Sequence, residues 1–155
     1  MSVTKGQAAP DFELVGDDKN TFKLSEQTGD GKVLLLFFPG AFTSVCTNEL
    51  NQVNNDLDAY TSKNVQVVGI STDSPFVLGE YKQANALNFP LLSDHDAGVS
   101  AQYGAKYEAG EFPFGLSRIA RRAAFVINED GHIVYDEVLE SAGDLPDFDA
   151  IKAAI

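Results

Sequence analysis

The run VLLLFF, Val33 to Phe38, contains no polar residue. At that length it has the pattern of a strand covered on both faces. VQVVGIS, Val65 to Ser71, predicts a second buried strand, and FPLLS, Phe89 to Ser93, a short third. Between the first two, Cys46, Leu50, Val53, Leu57 and Tyr60 recur at spacings of four, three, four and three. That period predicts an amphipathic helix with Cys46 on its buried face. Ser74 followed by Pro75 has the form of an N-cap with proline at the first helical position, opening a helix to about Asn85. AGVSAQYG predicts a short helix closed by Gly104.

Alternation replaces continuous apolarity at both ends of the chain. Phe12 and Leu14 alternate with polar residues, GDDKN supplies turn chemistry, and Phe22 and Leu24 alternate again, which predicts an N-terminal β-hairpin. RAAFVI and IVYDEV flank NEDG and predict a second, tight hairpin. A final helix is expected over roughly Asp147 to Ala154, capped and solvated by Asp144, Asp147 and Asp149. Residues 105–121 show no period and carry EFPFG; a loop of that length in a compact domain is more often functional than idle. Together these elements predict an α/β fold, a thioredoxin-like three-layer sandwich with a mixed central sheet and an N-terminal β-hairpin. With no linker or repeat in view, residues 1–155 are expected to form a single domain.

Composition narrows the partners. The formal net charge is −12, a surface that repels phosphate backbones and anionic lipid, so no nucleic acid and no membrane is expected to bind. Colloidal solubility accounts for that charge, and a salt-adapted source is an alternative. No stretch approaches the roughly 20 apolar residues of a membrane span. The first residues show no basic segment followed by an apolar one, and the single cysteine excludes an internal disulfide framework. A cytoplasmic, reducing location is the expectation. No motif for a cofactor or a metal stands out.

The one thiol lies in FFPGAFTSVCTNEL, just inside the helix that follows the first strand. Thr43 is a good N-cap, which makes Ser44, Val45 and Cys46 the first turn. The free N–H groups and positive dipole end there favour a thiolate. Pro39 ends the strand and limits water at the sulfur, Phe42 adds apolar cover, and Glu49 is placed one turn deeper to orient a cation. A cysteine that merely fills the helix–sheet contact is the alternative.

Pro39, Thr43 and Cys46, P-x-x-x-T-x-x-C after an apolar strand, resemble the active site of the peroxiredoxin (AhpC/TSA) family. The resemblance runs nearly end to end, through APDFEL, VLLLFFPGAFTSVCTNEL, FPLLSD, Tyr103–Gly104 and RRAAFVINEDG. The single cysteine and the length resemble the short one-cysteine AhpE-like group. The resemblance implies a thioredoxin-like fold and thiol-dependent reduction of hydrogen peroxide or organic hydroperoxides. It implies that Cys46 is the peroxidatic nucleophile, Thr43 the hydroxyl bonding peroxide and thiolate, and Pro39 the shield. Arg122, three before Phe125, then matches the arginine that pairs with the thiolate, and Glu49 the acid that holds it. Strand alternation points Arg121 to the opposite face, and Arg118 is left in the loop.

No second cysteine is present, neither five residues beyond Cys46, where Asn51 stands, nor near the C-terminus. A sulfenic acid here must therefore be reduced by an external thiol, thioredoxin-like, glutaredoxin-like or of low molecular weight. Related peroxiredoxins pair through surfaces beside the active-site loop, so some of Phe42, Phe76, Phe112 and Phe114 are expected to line a homodimer or higher assembly. A redox sensor with little turnover and an unreactive binding module are the competing functions. His95 and His132 stand among turn residues and are expected to be solvated, which disfavours a cysteine–histidine hydrolase. SDHDAG lacks further metal ligands, and GDGKV lacks the rest of a phosphate loop.

Overall fold

The computed structural model describes residues 3–155; Met1 and Ser2, the first two positions of the expected domain, lie outside the described residues. Its strands are β1 (Glu13–Gly16), β2 (Thr21–Lys23), β3 (Lys32–Phe37), β4 (Val65–Ser71), β5 (Leu91–Ser93), β6 (Ala123–Ile127) and β7 (Ile133–Val138). They form one sheet in the order β2-β1-β5-β4-β3-β6-β7. The central β3, β4 and β5 run parallel, and every flanking pair is antiparallel. The helices are α1 (Ser44–Asn55), α2 (Asp58–Thr61), α3 (Pro75–Asn85), α4 (Gly98–Gln102) and α5 (Phe148–Ala153). The mixed sheet and the hairpin at its β1–β2 edge are the α/β architecture expected from the pattern.

The apolar run of β3 has a direct cause. The strand is hydrogen-bonded on both edges, to β4 and β6, and Val33 through Phe38 are fully buried. Alternate side chains enter opposite cores. Val33, Leu35 and Phe37 join Phe12, Phe22, Tyr103 and Phe125, whereas Leu34, Leu36 and Phe38 join Cys46, Leu50, Leu78 and Tyr81.

Most boundaries match the sequence signals. Ser74 Oγ accepts from the Val77 N–H at 3.2 Å, with Pro75 opening α3. Asp147 caps α5 by accepting from the Ala150 N–H at 3.0 Å. The stripe from Cys46 to Tyr60, in contrast, is not one helix. Helix α1 ends at Asn54, Asn55 and Asp56, residue types of low helix propensity. The Asn54 side chain, in the last turn of α1, donates to the Ala86 carbonyl at 3.0 Å and accepts from the Asn88 N–H at 2.7 Å, while Asp56 pairs with Lys152. Tight backbone bonds from Asp56 N to Val53 O and Leu57 N to Asn54 O carry the chain across the break, so Tyr60 still reaches the core.

Residues 105–121 are a pinned excursion rather than a free loop. The Arg121 N–H donates to the Ala105 carbonyl at 2.7 Å and the Tyr107 N–H to Ile119 at 3.0 Å, closing its base.

Candidate active site

Strand pairing explains why residues far apart in sequence meet. β3 and β6 are antiparallel with Phe37 opposite Ala123. The end of β3, where Pro39 turns the chain toward α1, therefore lies beside the start of β6, where Arg122 stands. Pro39 is buried at that exit. Cys46, Glu49 and Arg122 are 1%, 0% and 1% exposed.

The three are in contact. Arg122 Nη1 donates to Cys46 Sγ at 3.3 Å and to Glu49 Oε1 at 2.7 Å, and Nη2 donates to the Ala142 carbonyl at 2.8 Å. Glu49 lies one turn beyond Cys46 on the same face of α1, so a single guanidinium reaches both. Glu49 Oε2 and Arg122 Nε have no protein partner. Burial outweighs the adjacent guanidinium at Glu49 and pushes its carboxyl up to about 7, with Glu137 adding to the rise. Burial alone would lower the Arg122 guanidinium, but Glu49 and Cys46 hold it above its ordinary range. The cation is thus fixed beside the sulfur.

Arg121 takes the other side, as strand alternation requires. Its Nη2 meets Glu111 Oε1 at 2.9 Å, and its guanidinium lies 4.5 Å from the Tyr107 ring centre. Arg118 bonds the His95 carbonyl at 2.5 Å. His95 and His132 are exposed.

Thr43 differs from its expected use. Its backbone is extended, as at an N-cap, but the hydroxyl caps no amide. It donates instead to the Gly40 carbonyl at 2.7 Å. The first-turn amides of α1 are thereby left without a side-chain cap. Thr43 stands on the loop before α1 without a hydrogen bond to the sulfur.

Two neighbours, Tyr81 and Asp73, went unnoticed in the sequence, and Phe42, expected as apolar cover, stands with them. Tyr81, fully buried on α3, shares a 2.9 Å hydrogen bond with Thr47 Oγ1, and burial raises its phenol above the ordinary value. Phe42, in a left-handed conformation (φ 63°), stacks edge-on over Tyr81 at 5.0 Å. Asp73, just after β4, accepts from the Ala41 N–H at 2.8 Å. Tyr81 falls on the same apolar stripe of α3 as Leu78, a periodicity that could have found it. Asp73 in STDSP reads only as turn chemistry.

Among the described residues, no group of three or more His, Cys, Asp or Glu could hold a metal ion. No helix there is long and apolar enough to cross a membrane.

Comparison with known proteins shows the family and the fold. The model of the AhpC/TSA family matches residues 5–136. Peroxiredoxin Bcp of Escherichia coli K12 is 36% identical over 137 residues, covering 85% of this chain and 85% of its own. A thiol peroxidase of Staphylococcus aureus is 32% identical over 156 residues, covering 99% of this chain and 88% of its own. The crystal structure of peroxidoxin BcpB from Mycobacterium tuberculosis superposes with a TM-score of 0.86 at 29% identity, over 98% of this chain and 96% of that one.

Proposed function

The chain belongs to the AhpC/TSA family of peroxiredoxins, and on that premise we propose that it is a thiol-dependent peroxidase that works through Cys46 alone. The observation that carries this reading is the Arg122 guanidinium, buried and in contact with the only thiol. The thiolate attacks one peroxide oxygen, the O–O bond breaks, and the alkoxide or hydroxide leaves with the bonding pair and takes a proton. Sulfur is oxidised by two electrons to the sulfenic acid. Negative charge moves from sulfur to the leaving oxygen, and a guanidinium already fixed by Glu49 and Ala142 stabilises it with little reorganisation.

Thr43 has committed its proton to the Gly40 carbonyl. The lone pairs of its oxygen are then free to accept the peroxide O–H and orient the substrate. Pro39 and Phe42 keep bulk water from the sulfur, which strengthens each of these interactions. A first external thiol condenses with the sulfenic acid, releasing water and leaving a mixed disulfide. A second displaces it, regenerating Cys46 and carrying off the disulfide. A reducing compartment, the cytoplasm, suits this cycle.

Phe42, Phe76 and Phe114 are 61%, 70% and 92% exposed, and they support a pairing surface for a second copy, with mass in solution as its test. Phe112 does not belong to that set: it packs against Tyr107 at 5.0 Å.

Peroxide consumption with and without a thiol tests the enzymatic reading. Continuous turnover with thiol, and a halt after about one peroxide per chain without it, is the expected result. One equivalent consumed even with several thiols present marks a sensor instead.

A further inference from the structure

Asp73 lies outside the P-x-x-x-T-x-x-C pattern, yet it is bound to the loop that carries Thr43. Its Oδ2 accepts from the Ala41 N–H at 2.8 Å and from Ser71 Oγ at 2.7 Å. Its backbone is fixed as well: the Asp73 N–H donates to Ser71 Oγ at 3.2 Å, and Ser93 Oγ donates to the Asp73 carbonyl at 2.6 Å. The ends of β4 and β5 therefore hold this carboxylate in place.

The Ala41 N–H and the Gly40 C=O belong to one peptide unit. In a trans peptide the two point in opposite directions, and no cis peptide is present among the described residues. A carboxylate that captures the N–H on one side aims the carbonyl to the other. That carbonyl is the acceptor of the Thr43 hydroxyl at 2.7 Å. The next residue, Phe42, is left-handed at φ 63°, a conformation disfavoured for a side chain of its size. The loop thus needs an external tie to keep its geometry. A charge-assisted bond to the backbone N–H is stronger than a neutral one and suits that purpose.

We infer that Asp73 is a positioning residue for peroxide reduction, acting through the Gly40–Ala41 peptide to fix the direction of the Thr43 hydroxyl. With the carboxylate in place, the hydroxyl proton stays on Gly40 and the oxygen presents lone pairs to the substrate. Without it the peptide can rotate, Thr43 loses its acceptor, and its hydroxyl competes as a donor. The inference rests on the proposed role of Thr43 at Cys46.

A double-mutant cycle on the second-order rate of Cys46 oxidation tests it. Thr43→Val and Asp73→Ala should each slow oxidation, by about ten- to a hundredfold, the scale set by misplacing a reacting group. Asp73→Ala should add little in a Thr43→Val background, because its effect passes through that hydroxyl. Asp73→Asn, whose amide oxygen can still accept from Ala41, should restore most of the rate, and it serves if Asp73→Ala folds poorly. Equal slowing by Asp73→Ala in both backgrounds, an unchanged rate in Asp73→Ala, or no recovery in Asp73→Asn overturns the inference. An unchanged rate in Thr43→Val overturns the underlying role of Thr43, which the same experiment reads separately.

Discussion

On one face of the sheet, Phe12, Phe22, Phe37, Tyr103 and Phe125 meet as an aromatic cluster, with Tyr103 and Phe125 edge-on at 5.2 Å. The one phenol among them gives its proton to the Pro10 carbonyl at 2.6 Å. On the other face Cys46, Glu49 and Arg122 are just as deeply buried, beside Leu34, Leu36 and Tyr81. Among the described residues, the buried side-chain polar atoms without a partner, Glu49 Oε2 and Arg122 Nε, both lie there. The first face follows the rule that buried polar groups are satisfied. The second departs from it at one point, where two ionisable side chains, Cys46 and Glu49, share the Arg122 guanidinium. Burial of a charged cluster is weak evidence for stability, so its place beside a lone thiol argues for chemistry. Packing energy and reactivity are thus separated by the thickness of one sheet.

Breaking each face should produce different symptoms. Phe12→Ala removes a ring that packs against Phe22 and Tyr103, and should cost about 3–5 kcal/mol of stability in urea titration. The folded fraction should still oxidise at the normal rate. Arg122→Met should do the reverse at the level of rate. Loss of about 2.7–4 kcal/mol of transition-state stabilisation predicts a hundred- to a thousandfold slower oxidation, persisting at a pH high enough to ionise the thiol. A rate that recovers fully at high pH would confine Arg122 to ionisation.

Glu49 supplies a pH signature that the aromatic face lacks. Its carboxyl keeps a proton up to about 7 in the folded chain and loses it near the ordinary value of about 4.3 when unfolded. Between these values the folded state holds the extra proton, so this group's contribution to stability falls as pH rises, then levels off above about 7. The fall amounts to about 4 kcal/mol. Glu49→Gln should remove that slope, so the stability difference between variant and parent should change across this window. A difference independent of pH would refute the assignment. Arg121→Met should have the smallest effect on rate, no more than about fivefold, since its partners are Glu111 and Tyr107. A larger loss than in Arg122→Met would mean that the wrong arginine faces the thiol.

How far the sequence carries this picture depends on the range of each signal. Val33 to Phe38 is apolar because both faces of β3 are covered, and that cause acts on every residue of the run. Ser74, Pro75 and Asp147 act within one helical turn, so their effect is legible from neighbours. The break after Asn55 is less so, because Asn54 bonds to Ala86 and Asn88 across space. Arg122 could be told from Arg121 by alternation, a local property. Its contact with Cys46 needed the pairing of β3 with β6. Asp73 was illegible because its partner is a backbone amide, which every residue but proline offers and no spacing marks.

The central claim is that Cys46, beside Arg122, is where peroxide reacts. One equivalent of hydrogen peroxide added to reduced protein without any added thiol, followed by intact mass and peptide mapping, tests it directly. The account predicts one added oxygen, about 16 Da on the oxidation ladder, on the peptide containing Cys46, and none in Cys46→Ser, which should leave the peroxide unconsumed. Peroxide consumed at the parent rate by Cys46→Ser would contradict it.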